Sequence, residues 1–208
     1  MKALTIIDHP LIKRDLTILR NVETNNHLFR TTLRRISSIM AFTVTHDLRL
    51  KKTTVRTPLE RTAGFVLADD VVIVPVLRAG LGLIDGFLDV LPEARVGHVG
   101  LYRNEKTLEP VDYYSKFPQG LSRSLVLLLD PMLATGGSAA AAITFLKRRG
   151  ARRIRFVALV ASPEGVRRVG SAHPTVPIFS AVLDRRLNAS GYILPGIDDA
   201  GDRLFGTE

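Results

Sequence analysis

The sequence predicts an α/β protein in which a mostly parallel sheet is flanked by helices on both faces. Short runs of β-branched and aliphatic residues have the composition of strands buried on both faces. These runs are VVIVPV (71–76), LVLLLD (125–130), IRFVALV (154–160) and VPIFSAV (176–182). Helix-like segments separate them, at roughly 81–90, 137–149 and 163–170. Strands that alternate with helices in this way pair in parallel, and ligands bind beyond their carboxyl ends.

Two helices are predicted before the first of these strands. The first covers residues 8–21, with Asp8 as its N-cap and Pro10 in its first turn. The second begins near Asn25, because four apolar residues spaced four, three and four apart share one helix face. These residues are Phe29, Leu33, Ile36 and Met40. Such a stripe indicates packing against a core or another subunit.

Composition limits the classes of protein that the chain can belong to. The 208 residues are 46% apolar and favour a single domain, residues 1–208. No apolar run is long enough to span a membrane, and the N-terminus lacks the pattern of a secretory signal. The absence of cysteine excludes thiolate chemistry and fits a cytoplasmic protein. The net charge of +9 indicates either a generally basic surface or an acidic partner, such as nucleic acid, an anionic membrane or a polyphosphate.

The loop after the second buried run, DPMLATGGS (130–138), has the composition of a phosphate-binding site. Asp130 stands at the carboxyl end of a strand, and Gly136 and Gly137 let an anion approach the backbone at a helix N-terminus. Thr135 and Ser138 add hydroxyl donors. The alternative is a tight turn capped by one of these two hydroxyls. The loop is not a Walker A motif, because no lysine follows the glycines.

Two further loops carry arginines at predicted strand ends. In PVLRAGLG (75–82), Arg78 and the bare backbone of Ala79 and Gly80 can meet one anion. The glycines of this loop approximate a dinucleotide fingerprint, but their spacing is one residue too long and the ribose-binding acid is missing. In YRNEKTLEPVDYY (102–114), Arg103 can fold over a bound polyphosphate, whereas Lys106 belongs to a solvated hairpin.

The loop DPMLATGGS resembles the 5-phosphoribosyl 1-pyrophosphate (PRPP) loop of type I phosphoribosyltransferases. Pro131 in place of a second acid is characteristic of the uracil phosphoribosyltransferase family. The resemblance covers essentially the whole chain through four more segments, namely DHPLI with LTILRN (8–21), PVLRAGLG, YRNEKTLEPVDYY and GYILPGIDDAGDRLFGT (191–207). It implies a phosphoribosyltransferase-like fold, with a small hood built from the N- and C-terminal segments and a β-hairpin arm.

The resemblance also implies an activity and a set of site residues. The activity is conversion of uracil and PRPP to UMP and pyrophosphate, with Asp130, Arg78 and Arg103 as catalytic residues. The implied PRPP-binding residues are Arg78, Ala79, Gly80, Arg103, Asp130, Pro131, Met132, Leu133, Ala134, Thr135, Gly136, Gly137, Ser138 and Asp199. The implied uracil-binding residues are Tyr192, Ile193, Asp198, Asp199 and Ala200. Mg²⁺ is the implied cofactor, carried by PRPP near Asp199 rather than held by a protein cage.

The resemblance further implies a homo-oligomer, a dimer or a tetramer, and GTP as an effector in some members. We expect no membrane or nucleic-acid partner. One departure concerns Asp198, where the family pattern GLGDAGDR has glycine. If this position requires a positive φ, aspartate is a strained substitute that also adds negative charge beside the base.

Two alternative functions stay open at this point. One is a regulator that keeps the PRPP pocket and binds RNA, and the other is an NADPH-dependent reductase. The basic run KRRGARRIR (147–155) is either a cationic helix end with a solvated strand entry, or a patch for RNA or an anionic effector.

Overall fold

The computed structural model describes residues 4–103 and 110–207, and the side chains of residues 101–112 lie outside this description. The helices are α1 (Pro10–Arg20), α2 (Asn26–Val44), α3 (Leu81–Val90), α4 (Gly137–Arg148), α5 (Pro163–Ala172) and α6 (Ala200–Phe205). The strands are β1 (Leu4–Ile6), β2 (Leu50–Arg56), β3 (Arg61–Leu67), β4 (Val71–Leu77), β5 (Arg95–Val96), β6 (His98–Arg103), β7 (Pro110–Lys116), β8 (Leu125–Leu129), β9 (Met132–Leu133), β10 (Arg153–Ala161), β11 (Ile178–Leu183), β12 (Arg186–Leu187) and β13 (Ile193–Leu194).

A mostly parallel sheet forms the centre of the molecule, as the sequence predicts. Its order is β1-β11-β10-β8-β4-β6-β7, with β5 paired to β4 and β9 paired to β10. Neighbouring strands from β1 to β6 run parallel, and β7 returns antiparallel to β6. The carboxyl ends of β4, β8 and β10 therefore lie side by side, and the loops that follow them meet at one edge.

The central strands bury alternate residues on opposite faces of the sheet. In β4, Val71 and Ile73 belong to one apolar cluster, whereas Val72 and Val74 belong to another. The first cluster contains the apolar faces of α1, α2, α3 and α6, and the second contains those of α4 and α5. This arrangement explains why the predicted strands are continuously apolar.

The predicted long helix and its apolar stripe are confirmed. The helix is α2, Asn25 caps it by accepting a hydrogen bond from the N–H of Leu28, and all four stripe residues are fully buried. Among the described residues, no helix has the combined length and apolar character that a membrane span requires.

Several boundaries differ from the sequence prediction by one or two residues, and two of these differences have a clear local cause. The N-cap of α1 is His9 rather than Asp8, because the His9 Nδ1 accepts from the N–H of Leu11 while Asp8 forms an exposed ion pair with Lys13. The last buried strand begins at Ile178 rather than 176, because Pro177 has no N–H to donate to the strand ladder.

Two smaller units complete the fold. Strands β2 and β3 form a two-stranded antiparallel hairpin, which we call the arm. Strands β12 and β13 pair antiparallel and, with α6 and the C-terminal end of α1, form the hood over the carboxyl edge of the sheet. The arm lies in a stretch without the continuously apolar runs that predict buried strands. Its β-branched residues on either side of Pro58 were the available signal.

Candidate functional site

A cavity of about 220 Å³ lies at the carboxyl edge of the sheet. Three chain segments line it: Ala79 after β4, Met132 and Ala134 after β8, and the C-terminal residues around β13. The last group is Ser190, Gly191, Tyr192, Ile193, Asp198, Asp199 and Ala200. The structure thus brings together the loop of residues 130–138, the loop after β4 and the C-terminal motif. Sequence reasoning missed Ser190, which lies just before the quoted motif.

The backbone of the loop after β8 is anchored to the neighbouring strand. The carbonyl of Pro131 accepts from the N–H groups of both Leu159 and Val160, at 3.1 and 2.9 Å. Ser162 donates its N–H to the carbonyl of Leu133 at 2.9 Å and its hydroxyl to that of Ala134 at 2.6 Å. Loop carbonyls therefore point toward the sheet and are satisfied there.

The N-terminus of α4 carries no side-chain cap. Gly136 occupies the N-cap position with φ +75°, a left-handed conformation that favours glycine. The hydroxyls of Thr135 and Ser138 belong to exposed residues, and the N–H of Gly137 makes only a long contact of 3.4 Å with Thr135 Oγ1. The turn is thus not the well-capped one of the alternative interpretation. Its open N–H groups and positive helix end are suited to an anion.

Asp130 lies at the carboxyl end of β8 in a poorly solvated position. Burial raises the pKa of its carboxyl group to about 7, and the hydrogen bond from the N–H of Met132, at 3.3 Å, opposes this rise. Immediately after β8, the N–H of Asp130 donates to Val157 O at 3.0 Å, which fixes the backbone. The carboxyl group is therefore rigidly placed and can be neutral or charged near pH 7.

In the loop after β4, Gly80 packs closely against the backbone and Arg78 carries a positive charge. Gly80 packs against backbone, because a Cβ there would lie 2.5 Å from Leu129 O and 2.6 Å from Val76 O. The Arg78 guanidinium is 56% exposed and is held by α6. It donates to Asp202 Oδ1 at 3.1 Å and to Thr207 Oγ1 at 3.3 Å. The loop thus presents a cation at the rim of the cavity beside α6.

The C-terminal part of the cavity is a set of constrained turns. Asn188 Oδ1 accepts from the N–H groups of Ser190 and Tyr192, at 3.0 and 2.9 Å. Asp199 Oδ1 caps α6 by accepting from Gly201 and Asp202, at 2.8 and 3.0 Å. Asp198 has φ +63° and is the one non-glycine residue with positive φ among those described. The position therefore has the positive φ at which aspartate is a strained substitute for glycine.

Two arginines that sequence reasoning missed hold the hood in place. Arg20 donates to both oxygens of buried Asp184 and to the carbonyl of Gly196, and Asp184 also accepts from the N–H of Gly196. Arg203 donates to the carbonyls of Leu19, Asn21 and Ile197 and lies 4.6 Å above the ring of Phe29. Partial burial lowers the pKa of Arg203.

Among the described predicted residues, several do not line this cavity, namely Arg78, Gly80, Asp130, Pro131, Leu133 and residues 135–138. Arg103 and Lys106 lie outside the residues whose side chains the structure describes. The basic run 147–155 lines a separate hollow at the amino edge of the sheet. Within it, Arg153 pairs with buried Asp69 and Arg155 pairs with Asp47. Part of the run's positive charge is therefore neutralised within the fold.

The family comparison covers nearly the whole chain. The sequence profile described as uracil phosphoribosyltransferase matches residues 6–207. The chain is 50% identical over 207 residues to the uracil phosphoribosyltransferase of Salinibacter ruber, covering 100% of this chain and 99% of that protein. It is 52% identical over 209 residues to the uracil phosphoribosyltransferase of Clostridium tetani, covering all of both chains.

Solved structures show the same fold. The AQ2163 protein of Aquifex aeolicus superposes with a TM-score of 0.93 at 37% identity, covering 99% of each chain. The adenine phosphoribosyl transferase of Trypanosoma brucei superposes with a TM-score of 0.59 over 88% of this chain and 84% of that one, and at 14% identity it shows the shared fold alone. By profile, by sequence identity over its full length and by fold, the chain belongs to the uracil phosphoribosyltransferase family of pentosyltransferases.

Proposed function

We propose that the chain converts uracil and PRPP to UMP and pyrophosphate, as a step of pyrimidine salvage. One observation carries the proposal. A single cavity is lined by the loop of residues 130–138, which we call the phosphate loop, by the loop after β4 and by the C-terminal turns. These segments lie more than 50 residues apart in the sequence, yet they converge where an activated sugar and a base must meet. The proposal treats residues 1–208 as one phosphoribosyltransferase domain.

The phosphate loop is assigned to the sugar. Open N–H groups from Ala134 to Ser138, with the hydroxyls of Thr135 and Ser138, bind the 5′-phosphate at the start of α4. Pro131, Met132 and Leu133 shape the stretch between this phosphate and Asp130. The Asp130 carboxylate accepts hydrogen bonds from the ribose hydroxyls, which fixes the anomeric carbon. The unshared N–H groups of the loop support this assignment.

The leaving group and the base are assigned to the other two segments. Arg78 and Arg103 neutralise the pyrophosphate, with Ala79 and Gly80 shaping the backbone around it. The backbone of Ile193 and residues 198–200 presents donors and acceptors to uracil, and Tyr192 lines the cavity beside them. The negative charge of Asp198 disfavours bases that present an acceptor or an anion at that position. This charge supports a preference for uracil over orotate.

The reaction is a displacement at the anomeric carbon. The bond from that carbon to the pyrophosphate oxygen breaks, and a bond to N1 of uracil forms. The electron pair of the broken bond leaves with pyrophosphate, and the N1 proton is released. Positive charge develops on the sugar ring and negative charge on the leaving group, so the residues act by position and electrostatics. We assign no general base.

Mg²⁺ fits the site as a substrate-borne ion. Among the described residues, no group of three His, Cys, Asp or Glu side chains could form a metal cage. A pyrophosphate-bound ion needs only one or two carboxylates from the protein. Asp199 would face such an ion, because only its Oδ1 is occupied by capping α6. When bound, Mg²⁺ neutralises charge on the leaving pyrophosphate.

A product assay tests the proposal directly. Purified protein with PRPP and Mg²⁺ is supplied with uracil, cytosine, hypoxanthine or orotate, and nucleotide formation is followed by chromatography. We expect UMP from uracil and no nucleotide from the other bases. Product from a purine alone would overturn the base assignment. Tight RNA binding with a steep salt dependence and no turnover would instead support the RNA-binding regulator.

The arm supports a homodimer. A two-stranded hairpin is marginally stable alone, and this one exposes apolar side chains, with Leu50 60% and Phe65 61% exposed. We propose that the arm packs against a second copy of the chain, because these exposed apolar residues would then be buried and would stabilise the hairpin.

The GTP effector and the cytoplasmic location remain predictions. Adding GTP to the same assay tests the first of them.

A further inference from the structure

The guanidinium of Arg168 lies against the phosphate loop. Its Cζ and Nη2 are each 3.8 Å from the position that a Cβ on Gly137 would occupy. The same position is 3.6 Å from the Thr135 hydroxyl oxygen. Gly137 is the first residue of α4. The arginine therefore shares the immediate surroundings of the loop hydroxyl and the helix N-terminus.

Close packing of α5 on the loop fixes this position. A Cβ on Gly165 would lie 2.4 Å from Ala134 O, and one on Gly136 would lie 3.1 Å from the Gly165 Cα. The backbones can approach this closely only because both residues are glycines. Arg168 follows Gly165 by three residues on α5, so it lies on the helix face that contacts the loop.

Arg168 makes no hydrogen bond or ion pair with any other described residue. Its neighbour Arg167, by contrast, donates from Nε to Pro163 O at 3.3 Å. The one acid of α5, Glu164, accepts from the N–H of Leu187 at 3.5 Å. All five N–H donors of Arg168 are therefore available to an anion at the loop.

We propose that Arg168 binds the 5′-phosphate of PRPP together with the N–H groups of the loop. The proposal rests on the function given above, because it takes the ligand of this loop to be a sugar phosphate. A guanidinium can bind two phosphate oxygens at once, which a single N–H cannot do. Because the side chain is exposed, we expect its contribution to be about three- to tenfold in affinity. Arg168 is thus a substrate-binding residue in addition to those of the family motif.

Ligand fragments separate the two ends of the substrate. Isothermal titration calorimetry would measure binding of ribose 5-phosphate and of Mg²⁺-pyrophosphate to the wild type, Arg168→Gln, Arg168→Lys and Arg167→Gln. We expect Arg168→Gln to weaken ribose 5-phosphate binding about fivefold and to leave pyrophosphate binding unchanged. Arg168→Lys should retain part of the affinity. Arg167→Gln, the matched control on the same helix, should retain all of it.

Kinetics give an independent measurement. Arg168→Gln should raise KM for PRPP about fivefold, leave kcat within about twofold and weaken the salt dependence of that KM. Unchanged ribose 5-phosphate binding, an equal loss in Arg167→Gln, or an equal loss for pyrophosphate would overturn the inference. Uracil turnover with an unaltered KM for PRPP in Arg168→Gln would overturn it and leave the proposed function standing. If ribose 5-phosphate binding depends on Arg168 but the protein makes no UMP, the inference stands and the proposed function is overturned.

Discussion

At the scale of single residues, Asp130 shows a conflict between stability and function. Burial raises the pKa of its carboxyl group to about 7, so the folded chain holds this proton more tightly than the unfolded chain. The free energy of unfolding therefore falls as pH rises from about 4 to about 7, and the full cost is present above pH 7. In the reaction proposed above, the ribose hydroxyls donate to the charged form of Asp130, which is the form that carries this cost.

Asp130→Asn should therefore stabilise the protein while inactivating it. The amide keeps the shape and the acceptor for the N–H of Met132 but removes the buried charge. We expect a melting temperature about 5 °C above wild type at pH 8 and a much smaller difference at pH 5. We also expect kcat/KM to fall about 10- to 100-fold. Calorimetric melting at both pH values measures the first effect. An equal gain at pH 5 and pH 8 would contradict the assigned cause.

The position of the Arg78 guanidinium depends on the residues that it contacts. Asp202 and Thr207 hold its guanidinium at the cavity rim. Asp202→Asn should free it, raising KM for PRPP about threefold while leaving KM for uracil unchanged, because an exposed pair contributes little. Asp89→Asn is the matched control, since it breaks the similarly exposed Arg34–Asp89 pair away from the cavity. A lower KM for PRPP would show that Asp202 competes with pyrophosphate instead of positioning Arg78.

At the scale of elements, the decisive contact is between α5 and the phosphate loop. Two serine hydrogen bonds and two glycines bring the helix and the loop into backbone contact. The loop is therefore supported from below by the sheet and from the side by α5. Its N–H groups can stay open to an anion because the carbonyls are already satisfied.

Gly165→Ala tests this contact. The added Cβ would lie 2.4 Å from Ala134 O and 2.7 Å from Leu133 O, so the loop must shift. We expect a loss of about 1–3 kcal/mol in the free energy of unfolding and a higher KM for PRPP. Gly170→Ala on the same helix meets nothing within 4 Å and should be neutral or stabilising by up to about 1 kcal/mol. Urea unfolding measures both variants, and similar losses in the two would refute the steric explanation.

At the scale of the whole molecule, the cavity is formed by the loops at the carboxyl edge of the parallel sheet together with the hood. The sheet places three loops at one edge, and the hood closes over them through Arg20 and Arg203. The arm takes no part in this sheet, and several of its apolar residues, such as Leu50 and Phe65, are exposed. A homodimer through the arm would bury these residues.

Phe65→Glu should weaken that dimer. A charge at the centre of the arm would have to be desolvated in the interface, so the variant should shift toward a monomer on dilution. Val22→Glu, at an apolar residue that is 91% exposed on the α1–α2 loop, is the control and should keep the wild-type mass. Light scattering coupled to size exclusion measures both. A wild type that is monomeric at every concentration would contradict the proposal.

The sequence by itself determined the features that depend on neighbours along the chain. The buried runs predicted the strands because strand burial depends on a local pattern. The glycines after Asp130 predicted an open helix start, because turns are set by a few consecutive residues. Positive φ at position 198 was raised only as a condition, because the family pattern has glycine there. The N-cap of α1 was wrongly predicted at Asp8, because the N–H of Leu11 donates to the His9 Nδ1 instead.

Only the tertiary structure decided which distant residues meet. Arg20 and Asp184 are 164 positions apart, and Arg78 and Asp202 are 124 positions apart, so no local pattern links either pair. The place of Arg168 beside the loop depends on the packing of α5 against α4. The raised pKa of Asp130 depends on burial by strands from elsewhere in the chain. Periodicity and turn chemistry act over a few residues, whereas pairing, desolvation and cavity shape arise only when the packed sheet brings separate segments into contact.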